Sequence, residues 1–118
     1  MILALATSSP TPTAHVVHMD GVLTAVTYPA LEKELQRLIG EGAKLIVLDV
    51  KGLTFLASTG IRVLLQTLKA MRAHGGELRL MQVPAQIQDV LDLVQLFPAD
   101  TNFANAADLE RFVKAGRG

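Results

Sequence analysis

The sequence predicts an α/β domain, with a mixed, mostly parallel central sheet of about five strands and about four helices packed on it. Three observations lead there. Segments of strand periodicity alternate with segments of helix periodicity, and glycine or proline punctuates each change. Residues 45–50 form an apolar run broken only by Asp49, the mark of a strand covered on both faces. Parallel neighbours need crossover connections, which the intervening helices supply.

At the N-terminus an apolar run over residues 2–6 reads as a strand, and Thr7-Ser8-Ser9-Pro10-Thr11-Pro12-Thr13 reads as a loop. Residues 14–19 form a second strand that ends at an Asp20-Gly21 turn, and the two N-terminal strands pair as a hairpin. A helix follows: Thr27 is placed to cap it, Pro29 suits its first turn, and Leu31, Leu35, Leu38 and Ile39 recur on one face. Gly40 and Gly42 stop it. After the central strand, residues 52–60 form an uncharged loop into the strongest helix of the chain. There Ile61, Leu64, Leu65, Leu68 and Met71 follow the 3.6 period, with Arg62, Gln66 and Lys69 on the other side.

Gly75-Gly76 ends that helix, and residues 77–83 alternate as a strand closed by Pro84 at the start of a third helix. This helix directs Ile87, Val90, Leu91 and Val94 to the core. A short last strand is expected near residues 101–104. Asn105 and Asp108 make a capping pair for a final helix carrying Leu109, Phe112 and Val113, and residues 115–118 should fray.

The chain has 118 residues, enough for one domain spanning 1–118 that buries roughly two thirds of its unfolded surface. Eleven basic and eleven acidic residues give a net charge of 11 − 11 = 0. With 4% aromatic residues there is neither the field nor the stacking surface that nucleic acid needs. The absence of cysteine excludes disulfides and thiolate metal sites. No Asp, Glu, Lys or Arg occurs in the first nineteen residues, but the apolar run is far short of the ~20 that span a bilayer. It also lacks the basic start of an export signal. A cytoplasmic protein without membrane insertion is expected.

In open α/β sheets, sites lie where strands hand over to helices, which directs attention to residues 52–60. Ala57, Ser58, Thr59 and Gly60 are small enough for another surface to approach, and Ser58 or Thr59 can offer a hydroxyl beside the first N–H groups of the helix. From position alone the plainer reading of that hydroxyl is an ordinary cap.

Residues 48–65, LDVKGLTFLASTGIRVLL, resemble the central motif of the STAS domain, approximately L-D-L-S-G-V-x-F-I-D-S-S/T-G-L-x-V-L-L. Gly21-Val22-Leu23-Thr24 resembles the family's G-E-L-D turn, and Gly75-Gly76-Glu77-Leu78 with the helix from Pro84 matches later elements. The resemblance implies an anti-sigma factor antagonist that binds a serine protein kinase acting as an anti-sigma factor. It implies Ser58 as phosphoacceptor, with Thr59 as second choice, and a serine phosphatase that restores the unmodified form. Thr24, Ala57, Ser58, Thr59, Gly60, Arg62, Gln66 and Lys69 form the implied partner surface. Two positions depart from the family pattern: Ala57 and Thr24 stand where acids are usual. The alternative is a STAS adaptor subunit of a transporter complex that works without phosphorylation.

No enzyme, cofactor or metal is expected. The G-x-S-x-G elbow would need glycine at Leu56, and His74 with Asp49 has no spacing that selects the pair. His15 and His18, three apart on a strand, point to opposite faces, and Gly75-Gly76 lacks the lysine of a P-loop.

Overall fold

The computed structural model describes residues 2–117. Strands β1 (Leu3–Thr11), β2 (Ala14–Leu23), β3 (Leu45–Leu56) and β4 (Glu77–Met81) form one sheet in the order β1-β2-β3-β4. β1 and β2 pair antiparallel as a hairpin, while β2, β3 and β4 run parallel. Helices α1 (Tyr28–Gly40) and α2 (Ser58–Ala73) provide the crossovers and, with α3 (Ala85–Leu93), cover one face, and α4 (Ala106–Phe112) covers the other.

The sheet has four strands rather than five. The strand expected near 101–104 is reduced to a single bridge between Met81 and Phe103, because a tight turn at Ala99–Thr101 precedes it and α4 follows almost at once. The Thr/Ser/Pro segment expected as a loop is strand as far as Thr11. Its hydroxyl residues tolerate extended backbone, and Pro10 falls in a register shift between Ser8 and Thr11 on an edge strand, where a missing N–H breaks no ladder bond. β2 passes straight through Asp20-Gly21 to Leu23, and β3 continues past Gly52 to Leu56. Two register shifts against β2 carry that extension, so residues 52–56 are strand where the sequence suggested a loop.

The alternation of each central strand divides the core. Val17, Met19, Ile46, Leu48, Val50, Leu78 and Leu80 face α1, α2 and α3; Ala14, Val16, Leu45, Val47 and Met81 meet Phe103 and Leu109 of the α4 side. On α3, Ile87 and Leu91 are buried, but Val90 is only half-buried and Val94 is exposed. That helix ends at Leu93, so Val94 falls off its apolar stripe. After α4 the chain makes a last turn over Val113–Arg117 with Gly116 at φ 78°; of the tail over 115–118, Gly118 lies outside the described residues. Asn105 caps α4 as the sequence predicts, its Oδ1 accepting from the Asp108 N–H at 2.9 Å. Thr27 is the N-cap residue of α1 as the sequence predicts, but its hydroxyl makes no cap bond: it donates to the Val22 carbonyl at 2.7 Å and accepts from the Thr24 N–H at 2.9 Å, tying β2 to the helix start.

β1 is held to α1 by Glu34. Arg37 donates Nε and Nη2 to its two oxygens at 2.9 and 2.7 Å, and the Thr7 hydroxyl donates to one of them. These bonds, led by Arg37, lower the Glu34 carboxyl from 4.5 to about 2. A carboxylate depressed on folding contributes stability that is complete above about 4.5 and disappears as pH falls toward 2. Glu34→Gln should therefore cost about 1 kcal/mol at pH 7, discounted for solvent exposure, and nothing near pH 2. Urea melts of both proteins across that range check it; a deficit that persists at the acid end would assign the loss to packing instead.

Candidate functional site

At the carboxyl end of the sheet, β2 and β3 finish together, with Leu23 paired to Leu56. The Ala57 N–H donates back to the Leu23 carbonyl at 2.9 Å, and the Ala57 carbonyl accepts the first helical bond, from Ile61, at 3.1 Å. Ala57 is thus the N-cap of α2, in extended conformation, with Ser58 as first helical residue. The cap is neither Ser58 nor Thr59, and alanine has no side-chain oxygen with which to cap. The early N–H groups of α2 receive no side-chain cap.

Ser58 is exposed, Thr59 half-buried and Gly60 buried. A Cβ on Gly60 would come within 2.6 Å of Leu23 Cγ and 2.9 Å of Leu56 Cδ1, so glycine is what lets the first turn of α2 sit directly on the strand ends. Thr24 is buried, not presented: its hydroxyl accepts from the Val26 N–H at 3.1 Å, and its carbonyl accepts from the Tyr28 N–H at 3.0 Å. Its role is to shape the β2–α1 turn. Arg62, Gln66 and Lys69 are exposed and, with Ser58, follow the spacing of one helix face. Between Leu53 and Gly76 there is no acid, whereas Arg62, Lys69 and Arg72 are basic. The exposed side of α2 is therefore positive from its N-terminus onward.

Two apolar side chains at this end were not singled out as partner contacts. Val26 is 68% exposed and Phe55 54%. Both lie where β2 and β3 terminate, Phe55 paired with Val22. The available signal was the adjacency of Phe55 and Leu56 on what proves to be a strand: successive residues face opposite ways, and at this end of β3 only one of the two is covered. That one is Leu56.

The histidines behave as their spacing predicts. His15 is buried with Nδ1 2.7 Å from Ser9 Oγ, whereas His18, on the other face, contacts Ser8 and Asp49. His74 hydrogen-bonds the Ala70 carbonyl of its own helix at 2.7 Å and is no partner of Asp49. Among the described residues no helix is long and apolar enough to cross a membrane.

A family model described as the STAS domain matches residues 7–109, nearly every element of the sheet and its helices. The chain belongs to the STAS domain family. This STAS domain is 29% identical over 92 residues to BtrV of Bordetella bronchiseptica, a protein named as an anti-sigma factor antagonist; the match covers 75% of this chain and 79% of that one. Among solved structures it resembles the phosphorylated form of the Bacillus cell fate determinant SpoIIAA. That likeness has a TM-score of 0.77 and 18% identity, covering 93% of this chain and 99% of the other. A Thermotoga maritima protein described as an anti-sigma factor antagonist gives a TM-score of 0.81 at 15% identity, covering 93% and 94%. At such identities the structural likenesses speak for the fold alone.

Proposed function

We propose that this STAS domain is an anti-sigma factor antagonist of a cytoplasmic partner-switching pathway. Its unphosphorylated form holds a serine protein kinase that acts as an anti-sigma factor; phosphorylation of Ser58 releases the kinase, and a serine phosphatase reverses the step. The observation that carries this reading is an exposed serine at the first position of α2, beside an N-cap with no side-chain oxygen, at the end of the sheet where Val26 and Phe55 are also exposed.

A phosphate adds about −1.5 to −2 charges. At the start of α2 it meets N–H groups that no carboxylate occupies, since Ala57 and Thr24 replace the usual acids. The fold tolerates the added charge, because a helix N-terminus stabilises it by roughly 0.3–1 kcal/mol. A partner packed over Val26, Phe55 and Ser58 does not, because its apolar contact would have to desolvate the phosphate. Arg62, Gln66 and Lys69 extend the contact along α2 and favour an acidic partner face.

The test is capture of bound proteins from an extract on the purified chain, then intact-mass measurement with ATP. A captured serine kinase should add one phosphate to the wild type and none to Ser58→Ala, which should remain folded. Full labelling of Ser58→Ala would move the acceptor, with Thr59 the first place to look. Capture of transporter subunits with no phosphate incorporated would replace the switch by an adaptor.

A further inference from the structure

On the α4 face of the sheet, β1, β2 and β3 bring together three polar side chains in a hydrogen-bonded line. Ser8 Oγ lies 3.1 Å from His18 Nε2, and His18 Nδ1 lies 2.8 Å from Asp49 Oδ2. The line follows from register: Ser8 pairs with Val16 on the hairpin, two residues from His18, and His18 pairs directly with Asp49. Side chains two apart on a strand share a face.

The chemistry orients the protons. An ionised Asp49 can only accept, so His18 Nδ1 carries the hydrogen; in the neutral ring Nε2 then holds a lone pair, and the Ser8 hydroxyl must donate to it. Asp49 is fixed from its other oxygen, which accepts from Gln82 Nε2 and the Lys51 N–H, each at 3.2 Å. Gln82 is held at φ 56°, an uncommon conformation for a residue with a side chain. Asp49 is nearly covered, at 13% side-chain exposure, while His18 is 44% exposed and Ser8 is open to solvent. A largely covered orienting acid, a base with its second ring nitrogen on the hydroxyl and an accessible hydroxyl are the parts of an activated nucleophile.

Ser8 and His18 also stand at the rim of an apolar cavity of about 490 Å³, floored by Pro10, Val16, Met81 and Leu109. Its lining also includes Glu110 and Lys114, which pair with each other at 3.5 Å, so it is the apolar stretch over Pro10, Val16, Met81 and Leu109 that suits an acyl chain. We propose that Ser8 is a nucleophile activated by His18, and that it accepts the acyl group of an apolar carboxylic ester whose chain occupies this cavity. Ser8 Oγ adds to the carbonyl carbon as its proton passes to His18 Nε2. Collapse of the adduct breaks the bond to the leaving oxygen, which departs as the alcohol or phenol after taking that proton back. The acyl group remains on Ser8 as an ester. Asp49 is a positioning residue: it holds the ring nitrogen toward Ser8 and stabilises the imidazolium formed in passing. The site is on the opposite face of the sheet from α2 and is independent of Ser58.

The experiment incubates the full chain with p-nitrophenyl octanoate, follows the intact mass and maps the modified peptide. One octanoyl group should appear, on Ser8, and none on Ser8→Ala. His18→Gln should slow the maximal acylation rate about 100-fold and leave the half-saturating ester concentration unchanged. Asp49→Asn should lower the same rate constant without moving that concentration, a split that loss of folding does not produce. The octanoyl ester should half-saturate at lower concentration than the acetyl ester. Acylation of Ser8→Ala at the wild-type rate, or a wild type no faster than His18→Gln, overturns the proposal; equal half-saturation by the two esters overturns the assignment of the cavity. Ser8 lies on an exposed edge strand, so melting of Ser8→Ala at the wild-type temperature is expected and confirms that lost labelling is chemical.

Discussion

Gly60→Val should lower the unfolding free energy by about 3 kcal/mol, the upper part of the usual range for overpacking a filled core. The first atom beyond the backbone already meets Leu23 Cγ at 2.6 Å, Leu23 Cδ2 at 2.8 Å and Leu56 Cδ1 at 2.9 Å. Leu23 is fully buried and Leu56 nearly so, and a Cγ is a branch point rather than a mobile tip. Neither can withdraw without disturbing the strand ends they close. Gly60→Ala should cost less, about 1 kcal/mol, because replacing a helical glycine returns close to 1 kcal/mol. The consequence for function lies two residues earlier. To admit valine, α2 must lift from β2 and β3, which displaces Ser58 relative to Val26 and Phe55. Urea melts should rank wild type, Gly60→Ala and Gly60→Val in falling order, with partner affinity in the same order. A Gly60→Val protein within 0.5 kcal/mol of wild type would mean that Leu23 and Leu56 repack freely.

The helix faces were legible because burial imposes a period. Leu31, Leu35 and Leu38 are all buried on α1, and Leu64, Leu68 and Met71 on α2, as their spacing requires. The buried stripe of α2 also takes in Gly60, Val63 and Thr67, while Ile61 and Leu65 are only half-buried at its margin. Thr67 escaped notice because its hydroxyl donates to the Val63 carbonyl within the helix, at 2.8 Å, so the side chain is polar in composition and satisfied in place.

What failed to be legible was the length of strands. Gly, Thr and Ser mark turns by their local preferences, yet Gly21, Gly52, Thr7 and Ser8 all lie in strands here. Long-range pairing overrides those preferences, and register shifts break the two-residue period by which a strand is recognised. The Ser8, His18, Asp49 line was hidden for the same reason. Its members are 10 and 31 residues apart, and only the register of two strand pairs makes them neighbours. Asp49 stood out as the one acid in an apolar strand, but no sequence spacing could name His18 as its partner. At the α2 site, the motif located Ser58 correctly at the helix start, while the burial of Thr24 depends on hydrogen bonds within a turn.

Ser58→Asp should weaken capture of the partner kinase about 100-fold, some 2.7 kcal/mol, while leaving the domain as stable as the wild type or slightly more so. The two effects have opposite signs because the charge meets two different environments. Within the domain it meets the N–H groups at the start of α2, the Ala57 cap with no carboxylate, and Arg62 one turn along the same helix face. A negative charge there contributes roughly 0.3–1 kcal/mol to the fold. In the proposed complex the same charge would be buried beside Val26 and Phe55, side chains that offer it no hydrogen bond. Ser58→Asn separates charge from bulk: it fills similar space without the carboxylate, and it should retain most of the affinity. Titration of the captured kinase with each variant, alongside thermal melts, reads both terms. Should Ser58→Asp bind as the wild type does, the start of α2 lies outside the docking surface and the release step needs another residue. Should Ser58→Asn fall as far as Ser58→Asp, crowding rather than charge controls the interface, and a phosphate would act there by its size.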